Sequence, residues 1–439
     1  MDIMIAGAGT VGYSLARSLS FRHSVVVIDK DQEKLDRFED EVDILTIKGD
    51  VEDPKTYTAL LYDKVDLFIA VTDSDEANLL STLVVEDVVE VKRKIVRLKN
   101  DGFLKSHVLE KLHIDYAVFP DITTANKVKA LLAFPKANNV KVFHQTRLKL
   151  ISVKVNKGMS FSVRDLCSDL VHVAGIEREK VFFIPSDTEE IRQHDLVYFF
   201  GDVSAIESIA QKIENAMPAS IKKVVIFGAN MQAQKIAKVL IEKDLEIKMI
   251  EKERRLCKDA SAFLEGRVRI IHAAYDDHRL FEEEGIKYAD MVIAAGKNDE
   301  KNIVKCVEAK EYGIPKVVAI NNDKSYYDLM HKMGVVVVRG SKAGAHYAIL
   351  EKISSSAIVT QRLFCGGRAV LFMRKVYRDS LLIGKQLTLK KVLPSDVLLI
   401  REERLYKISE IHQIMENDII VMFGTADTKD EMEAWIYAQ

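Results

Sequence analysis

The run Asp2-Ile3-Met4-Ile5-Ala6-Gly7 has a counterpart in Lys223-Val224-Val225-Ile226-Phe227-Gly228, and the segments downstream of the two runs keep the same order. Met249-Ile250-Glu251-Lys252 matches Val27-Ile28-Asp29-Lys30, Ala289 to Ala294 echoes Val65 to Ala70, and Glu300-Lys301-Asn302-Ile303 echoes Glu76-Ala77-Asn78-Leu79. Four matches in register with the spacing kept mean an internal duplication. A duplicated chain of 439 residues must fold as repeats of one plan rather than around a single core.

Within the first repeat, short apolar runs alternate with amphipathic stretches. Candidate strands are Ile3 to Ala6, Ser24 to Ile28, Ile44 to Lys48, Leu67 to Ala70, Ile95 to Leu98 and Tyr116 to Phe119. Helical patterns such as Val11 to Leu19 and Glu76 to Val88 lie between them. That alternation predicts a doubly wound parallel sheet of the Rossmann-like α/β class, with ligands at the carboxyl ends of the strands. A shorter, strand-rich segment succeeds each repeat. Val197 to Gly201 precedes a helical Val203 to Ile213 in the first, and Ile419 to Gly424 precedes a helical Asp430 to Tyr437 in the second. Four domains in A-B-A-B order are expected, at 1–134, 140–215, 221–358 and 366–439. The linker Met217-Pro218-Ala219-Ser220 divides the halves, and Pro218 is expected to end the preceding helix.

Gly7-Ala8-Gly9-Thr10-Val11-Gly12 comes directly after a strand and opens a helix. In that position the first glycine allows a tight turn, the second lets the backbone approach a pyrophosphate, and the third permits close helix-to-strand packing. Asp29 ends the second strand about 20 residues on, where a carboxylate accepts hydrogen bonds from ribose hydroxyls and repels a 2′-phosphate, favouring NAD over NADP. Lys30 beside it is the weaker candidate. Gly49-Asp50 and Thr72-Asp73-Ser74-Asp75-Glu76 close the third and fourth strands on the same edge, with Thr72 and Asp73 assigned to the ligand and Asp75 and Glu76 to the helix after them. Arg97, inside the apolar run Ile95-Val96-Arg97-Leu98, needs an anionic partner, either a phosphate or Asp73.

These residues, above all the string Ala70-Val71-Thr72-Asp73-Ser74-Asp75-Glu76-Ala77-Asn78, resemble the TrkA family of peripheral subunits in bacterial Trk potassium uptake. Each member is built from two regulator-of-potassium-conductance (RCK or KTN) units, a Rossmann part and a C-terminal part. The resemblance spans essentially the whole chain. It implies a cytoplasmic regulator, peripheral on the inner face of the cell membrane, that forms a tetrameric ring on a TrkH-type or TrkG-type membrane subunit. It also implies NAD or NADH as ligand, with ATP or ADP in some members.

The second repeat departs from the glycine pattern. Gly228 is kept, but Asn230 and Ala233 stand where Gly9 and Gly12 stood, and Glu251 is the remaining ribose acceptor. In the sequence, His272-Ala273 aligns with Gly49-Asp50, Ala295-Gly296 with Thr72-Asp73, and Ala319 with Arg97. This half is expected to bind nucleotide weakly or not at all, so that Gly228 and Glu251 are secondary candidates.

Other classes find less support. The formal net charge of -2 gives no polyelectrolyte attraction to nucleic acid. Cys167, Cys257, Cys306 and Cys365 lie far apart, which suggests neither a disulfide framework nor a zinc site and fits a reducing cytoplasm. No apolar run reaches the ~20 residues of a spanning helix, and the N-terminus lacks the pattern of a signal peptide. An NAD-dependent oxidoreductase would need a substrate constellation, and His144, His172 and His194 are irregularly spaced and read as surface or satisfied histidines. An interaction scaffold with relic Rossmann units is the other alternative. For a regulator, the expected movable elements are amphipathic helices over Ile122 to Phe134, with Val128, Leu131, Leu132 and Phe134 as core or as a subunit-crossing interface, and over Ala343 to Ile358.

Overall fold

The computed structural model describes residues 1–439 apart from 21–22, 39–43, 61–62, 144, 157–160, 219, 276–278, 327–328, 331–332, 355–358, 379, 388–395 and 439. Two compact units are present: Met1–Ala125 with Arg339–Ile353, and Asn126–Val338 with Ser354–Gln439.

The first unit is organised by a six-stranded sheet in the order Ile44–Lys48, Ser24–Asp29, Asp2–Ala6, Leu67–Ala70, Lys94–Arg97, Tyr116–Val118. All neighbours run parallel. Strand order reverses between Asp2–Ala6 and Leu67–Ala70, which opens a crevice at their carboxyl ends. Alternate residues of each strand feed opposite faces, so both faces are apolar. Ile3, Ile5, Val25, Val27 and Ile69 pack with Val11, Leu15 and Leu19 of the helix Thr10–Ser20. Met4, Val26, Phe68 and Val96 pack on the other side with Val85 and Tyr57. The first face is completed by Ala345, Ile349 and Ile353, spaced four apart on the helix Ser341–Ser354 of the second repeat. That helix starts two residues before the sequence suggests, and 355–358 lie outside the described residues.

In the second unit the same plan returns: Arg269–His272, Glu246–Glu251, Lys223–Phe227, Met291–Ala294, Lys316–Asn321, Val336–Arg339. The helix Pro120–Ala133 begins at Pro120 rather than after it, since proline is favourable at a first helical position. Its residues from Asn126 on belong to this unit, where Val128 and Leu131 are buried. The buried Lys316 amino group donates to the carbonyls of Leu131 (3.2 Å), Phe134 (3.4 Å), Pro135 (2.6 Å) and Ala137 (3.1 Å), which places a donor where the helix leaves unpaired acceptors, although burial pulls its pKa down to about 7.

Two five-stranded sheets complete the unit. The first runs Val181–Phe183, Val171–Arg178, Leu196–Gly201, Lys149–Lys154, Ala137–Val142, and the second runs Arg404–Lys407, Asp396–Arg401, Ile419–Thr425, Ala369–Lys375, Val359–Phe364. They share one core, with Leu150, Tyr198 and Phe200 against Leu371, Leu398 and Phe423. The helix Val203–Ile213 lies where the sequence places it, but Pro218 does not end it. Glu214 does so, its buried carboxylate accepting from the N–H groups of Ala216 (2.8 Å) and Met217 (3.0 Å) and from the Asn156 amide (2.6 Å).

Candidate functional site

The three glycines of the first loop have three separate physical reasons. Gly7 has φ +109°, open to glycine but strained for a side chain, and a Cβ there would press on the Thr72 backbone at 3.0 Å. A Cβ on Gly12 would stand 1.8 Å from the Gly7 carbonyl oxygen, so the helix can lie this close to the strand only without one. Gly9 is different: its backbone is ordinary and a Cβ would meet no protein atom within 4 Å. Nothing within the described fold requires glycine there, and the space in front of it is open. Among the described residues, no side chain accepts from the N–H groups of Gly9, Thr10, Val11 or Gly12 at the start of the helix, which leaves a positive helix end facing that space.

Asp29 holds the loop from beside it. Its carboxylate accepts from the N–H of Ala8 (2.7 Å) and of Asp31 (3.0 Å), one bond on each oxygen, so each keeps a lone pair. Lys30 is exposed. Gly49 packs against Thr56, and exposed Asp50 accepts from the Glu52 N–H (3.0 Å), which makes it the residue that shapes this turn.

On the other side of the switch point the key residue is one that the sequence did not single out as a site. Asn78 is buried in the helix Asp75–Val88; its oxygen accepts from the Thr72 N–H (2.8 Å) and hydroxyl (2.7 Å), and its amide donates to the carbonyls of Thr72 (3.1 Å) and Arg97 (2.8 Å). It ties two strand ends together. The signal was present, because Asn302 recurs in the second repeat and there ties Gly296 to Ile320 in the same way. Asp75 serves the loop rather than the helix, accepting from the N–H groups of Lys99 (2.8 Å) and Asn100 (2.8 Å), while Ser74 caps the helix through the Ala77 N–H (3.1 Å) and Glu76 bonds to Ser74.

Arg97 is 8 % exposed. Its contact with Asp73 is 3.5 Å long, the Asp73 side chain is 89 % exposed, and the buried Nε has no hydrogen-bond partner. A buried guanidinium so thinly matched destabilises the fold unless an anion completes it. Arg97, Thr72, Asp29 and the Gly7 to Gly12 loop thus all lie at the carboxyl edge of one sheet.

The second repeat closes the same place with its own side chains. Asn230 accepts from the Ala233 N–H (3.0 Å), capping the helix Met231–Ile241, and donates to the Ala295 carbonyl (2.6 Å). Gln234 donates to the Ala229 carbonyl (2.8 Å). Glu251, 4 % exposed, accepts from Ala229, Lys252 and Glu253 N–H groups and from the Tyr275 hydroxyl at 2.9 Å. Burial and the Glu251 charge push the Tyr275 phenol far up, which keeps it a donor. The Asn302 clip and the strand registers also shift three of the sequence alignments by one residue: Ile320, not Ala319, stands at Arg97, Ala273 stands at Gly49, and Gly296 stands at Thr72. Strand periodicity alone leaves such one-residue ambiguities, and the hydrogen bonds remove them.

Two parallel sheets of identical order, one with an open loop at its switch point and one plugged, define a tandem protein of the dinucleotide-binding fold. The TrkA-N domain model matches residues 3–120 and 224–339. A Trk system potassium uptake protein TrkA homolog from Archaeoglobus fulgidus is 30% identical over 410 residues, covering 91% of each chain. The TrkA of Halomonas elongata is 29% identical over 344 residues, 75% of this chain and 74% of that one. The chain belongs to the TrkA family. Its fold is that of the GsuK RCK domain (TM-score 0.61, 16% identity, 100% of this chain and 95% of that one) and of the GsuK channel bound to NAD (TM-score 0.61, 17% identity, 100% and 79%). Among the described residues no helix is long and apolar enough to cross a membrane.

Proposed function

We propose that this chain is the cytoplasmic regulatory subunit of a Trk-type potassium transporter, carrying one dinucleotide site, at Gly7 to Gly12, Asp29, Thr72 and Arg97. NAD or NADH is the ligand, and ATP or ADP competes for the same loop. The carrying observation is the contrast between the repeats: Gly9 faces open space with free helix N–H groups, whereas in the second repeat Asn230 caps the helix and the Tyr275 hydroxyl bonds to Glu251, the counterpart of Asp29. The orphaned Arg97 Nε supports an anionic ligand. The nucleotide acts as an effector, in keeping with the TrkA family to which the chain belongs. Docking is to a TrkH-type or TrkG-type membrane subunit, as a tetrameric ring.

An effector must bind one state of the assembly better than another, and a factor of 5 to 150 corresponds to about 1 to 3 kcal/mol. The helices Pro120–Ala133 and Ser341–Ser354 carry that difference, since each leaves its own repeat for the compact unit of the other. Calorimetric titration with NAD, NADH, NADP, ATP and ADP tests the reading: one site per chain, lost in Asp29→Ala. Two strong sites per chain, binding of NADP alone, or turnover of an alcohol or hydroxy acid would overturn it.

A further inference from the structure

The two five-stranded sheets are copies of one another, and their registers show which residues are counterparts. His172 lies opposite Phe200 on the neighbouring strand, and Asp396 lies opposite Phe423. Phe200 and Phe423 meet edge-on with ring centroids 5.3 Å apart. His172 and Asp396 therefore occupy the same position of the repeat, and they touch: the imidazole Nε2 is hydrogen-bonded to the Asp396 carboxylate. A residue in contact with its own counterpart lies on the internal twofold axis. Two identical domains packed this way would set two identical side chains against each other.

The other ion pairs between the sheets, among the described residues, are one-sided as well. Three further ion pairs put an acid of the first domain on a base of the second, Glu177 accepting from Arg368 (2.7 Å), Asp169 from Arg404 (3.0 Å) and Asp187 from Lys407 (2.8 Å), while Glu403 of the second domain accepts from the Thr146 hydroxyl (2.5 Å) and the Arg147 N–H (3.0 Å). The counterpart of Arg404 is Val181, each lying opposite the arginine of its adjacent strand, and the counterpart of Glu177 is Ile400. A pair of first domains would thus set His172 on His172 and Asp169 on Val181. A pair of second domains would set Asp396 on Asp396 and Arg368 on Ile400.

We infer that His172–Asp396 on the axis, flanked by Glu177–Arg368, is a recognition key that makes the first C-terminal domain pair with the second and rejects a second copy of itself. Two carboxylates brought together in a buried contact repel, and two buried imidazoles facing each other lose the carboxylate that holds the charge, so either wrong pairing forfeits the ion pair. His172 and Glu177 are both buried, so their pairs are little screened, whereas Asp169–Arg404 and Asp187–Lys407 are about half exposed and add little. Copies of this chain accordingly cannot assemble through identical C-terminal domains, and any ring must be built through other surfaces.

Because the two residues are counterparts, single substitutions in the full-length chain reproduce the rejected contacts. His172→Asp creates the axis contact of two second domains, and Asp396→His that of two first domains. The unfolding midpoint and the mass by light scattering are measured for both, for the exchange His172→Asp with Asp396→His, and for the neutral Asp396→Asn. The key predicts that each single reversal lowers the midpoint by several degrees or prevents folding, that the exchange restores most of the loss, and that Asp396→Asn falls between wild type and His172→Asp. Single reversals as stable as wild type, or an exchange whose loss is the sum of the two, would overturn the inference.

Discussion

Substituting Gly9 and Gly12 separately distinguishes a glycine required by a ligand from one required by the fold. In Gly9→Ala the new methyl meets nothing within 4 Å and the backbone is outside the left-handed region, so the folded state loses little. Alanine lowers the entropy of the unfolded chain, for a gain of about 0.4 to 1 kcal/mol, but is a poorer residue than glycine at a helix N-cap, and stability should stay within about 1 kcal/mol of wild type. The same methyl stands where a pyrophosphate would approach the helix N–H groups. Losing one charge-assisted hydrogen bond at about 1.5 to 3 kcal/mol weakens binding roughly 10- to 100-fold. Gly12→Ala reverses the pattern, because its Cβ falls 1.8 Å from the Gly7 carbonyl oxygen and forces the helix away, at a cost of about 1 to 3 kcal/mol. Denaturant unfolding without ligand and calorimetry with NAD and NADH separate the two. A Gly9→Ala protein that binds NAD within twofold of wild type would refute the assignment, as would one that unfolds as readily as Gly12→Ala.

Arg97→Met should leave the ligand-free protein as stable as wild type or more so, since it removes a thinly matched buried cation, while abolishing the rise in unfolding midpoint that NAD produces; an unchanged rise would rule out contact with the ligand. Asn78→Ala removes four hydrogen bonds, three of them to backbone groups, and should destabilise by about 2 to 4 kcal/mol in denaturant unfolding while also weakening nucleotide binding. Burial pulls the His172 pKa down, but its hydrogen bonds to Asp396 and Cys167, with the Asp187 charge nearby, outweigh this and hold it up at about 9. Because the folded value lies above the ordinary 6.5, the stabilisation is complete below that pH and is lost as pH rises through about 9, by at most about 3 kcal/mol. His172→Gln should flatten the fall in unfolding midpoint between pH 6.5 and 9.5, and an unchanged slope would remove His172 as its source.

The duplication, both six-stranded sheets, the loop with its acid and the plugging of the second loop were legible in the chain's order of residues, because each rests on short-range chemistry. Period-two apolar runs make strands, glycine at a strand end makes the turn, and Asn230 or Ala233 in place of glycine adds a Cβ at a fixed point. The TrkA-type resemblance carried by the Val71 to Asn78 string agrees with the family to which the chain belongs. Other features depended on residues far apart in the chain. Ala319 and Ile320 are equally good matches to Arg97 until the Asn302 amide picks the second. Pro218 looked like the end of a helix that Glu214 ends, with its carboxylate held by the Asn156 amide 58 residues earlier. Tyr275 gave no sign that its hydroxyl would close Glu251, and nothing near Lys316 indicates that it caps a helix some 180 residues earlier. Most of all, His172 and Asp396 are 224 residues apart and unlike in type; only the registers of two sheets and their shared core show them to be one position of a repeat. Local sequence sets backbone conformation and which face is apolar, whereas the partner of a buried polar group is chosen by whichever distant segment packing brings within reach.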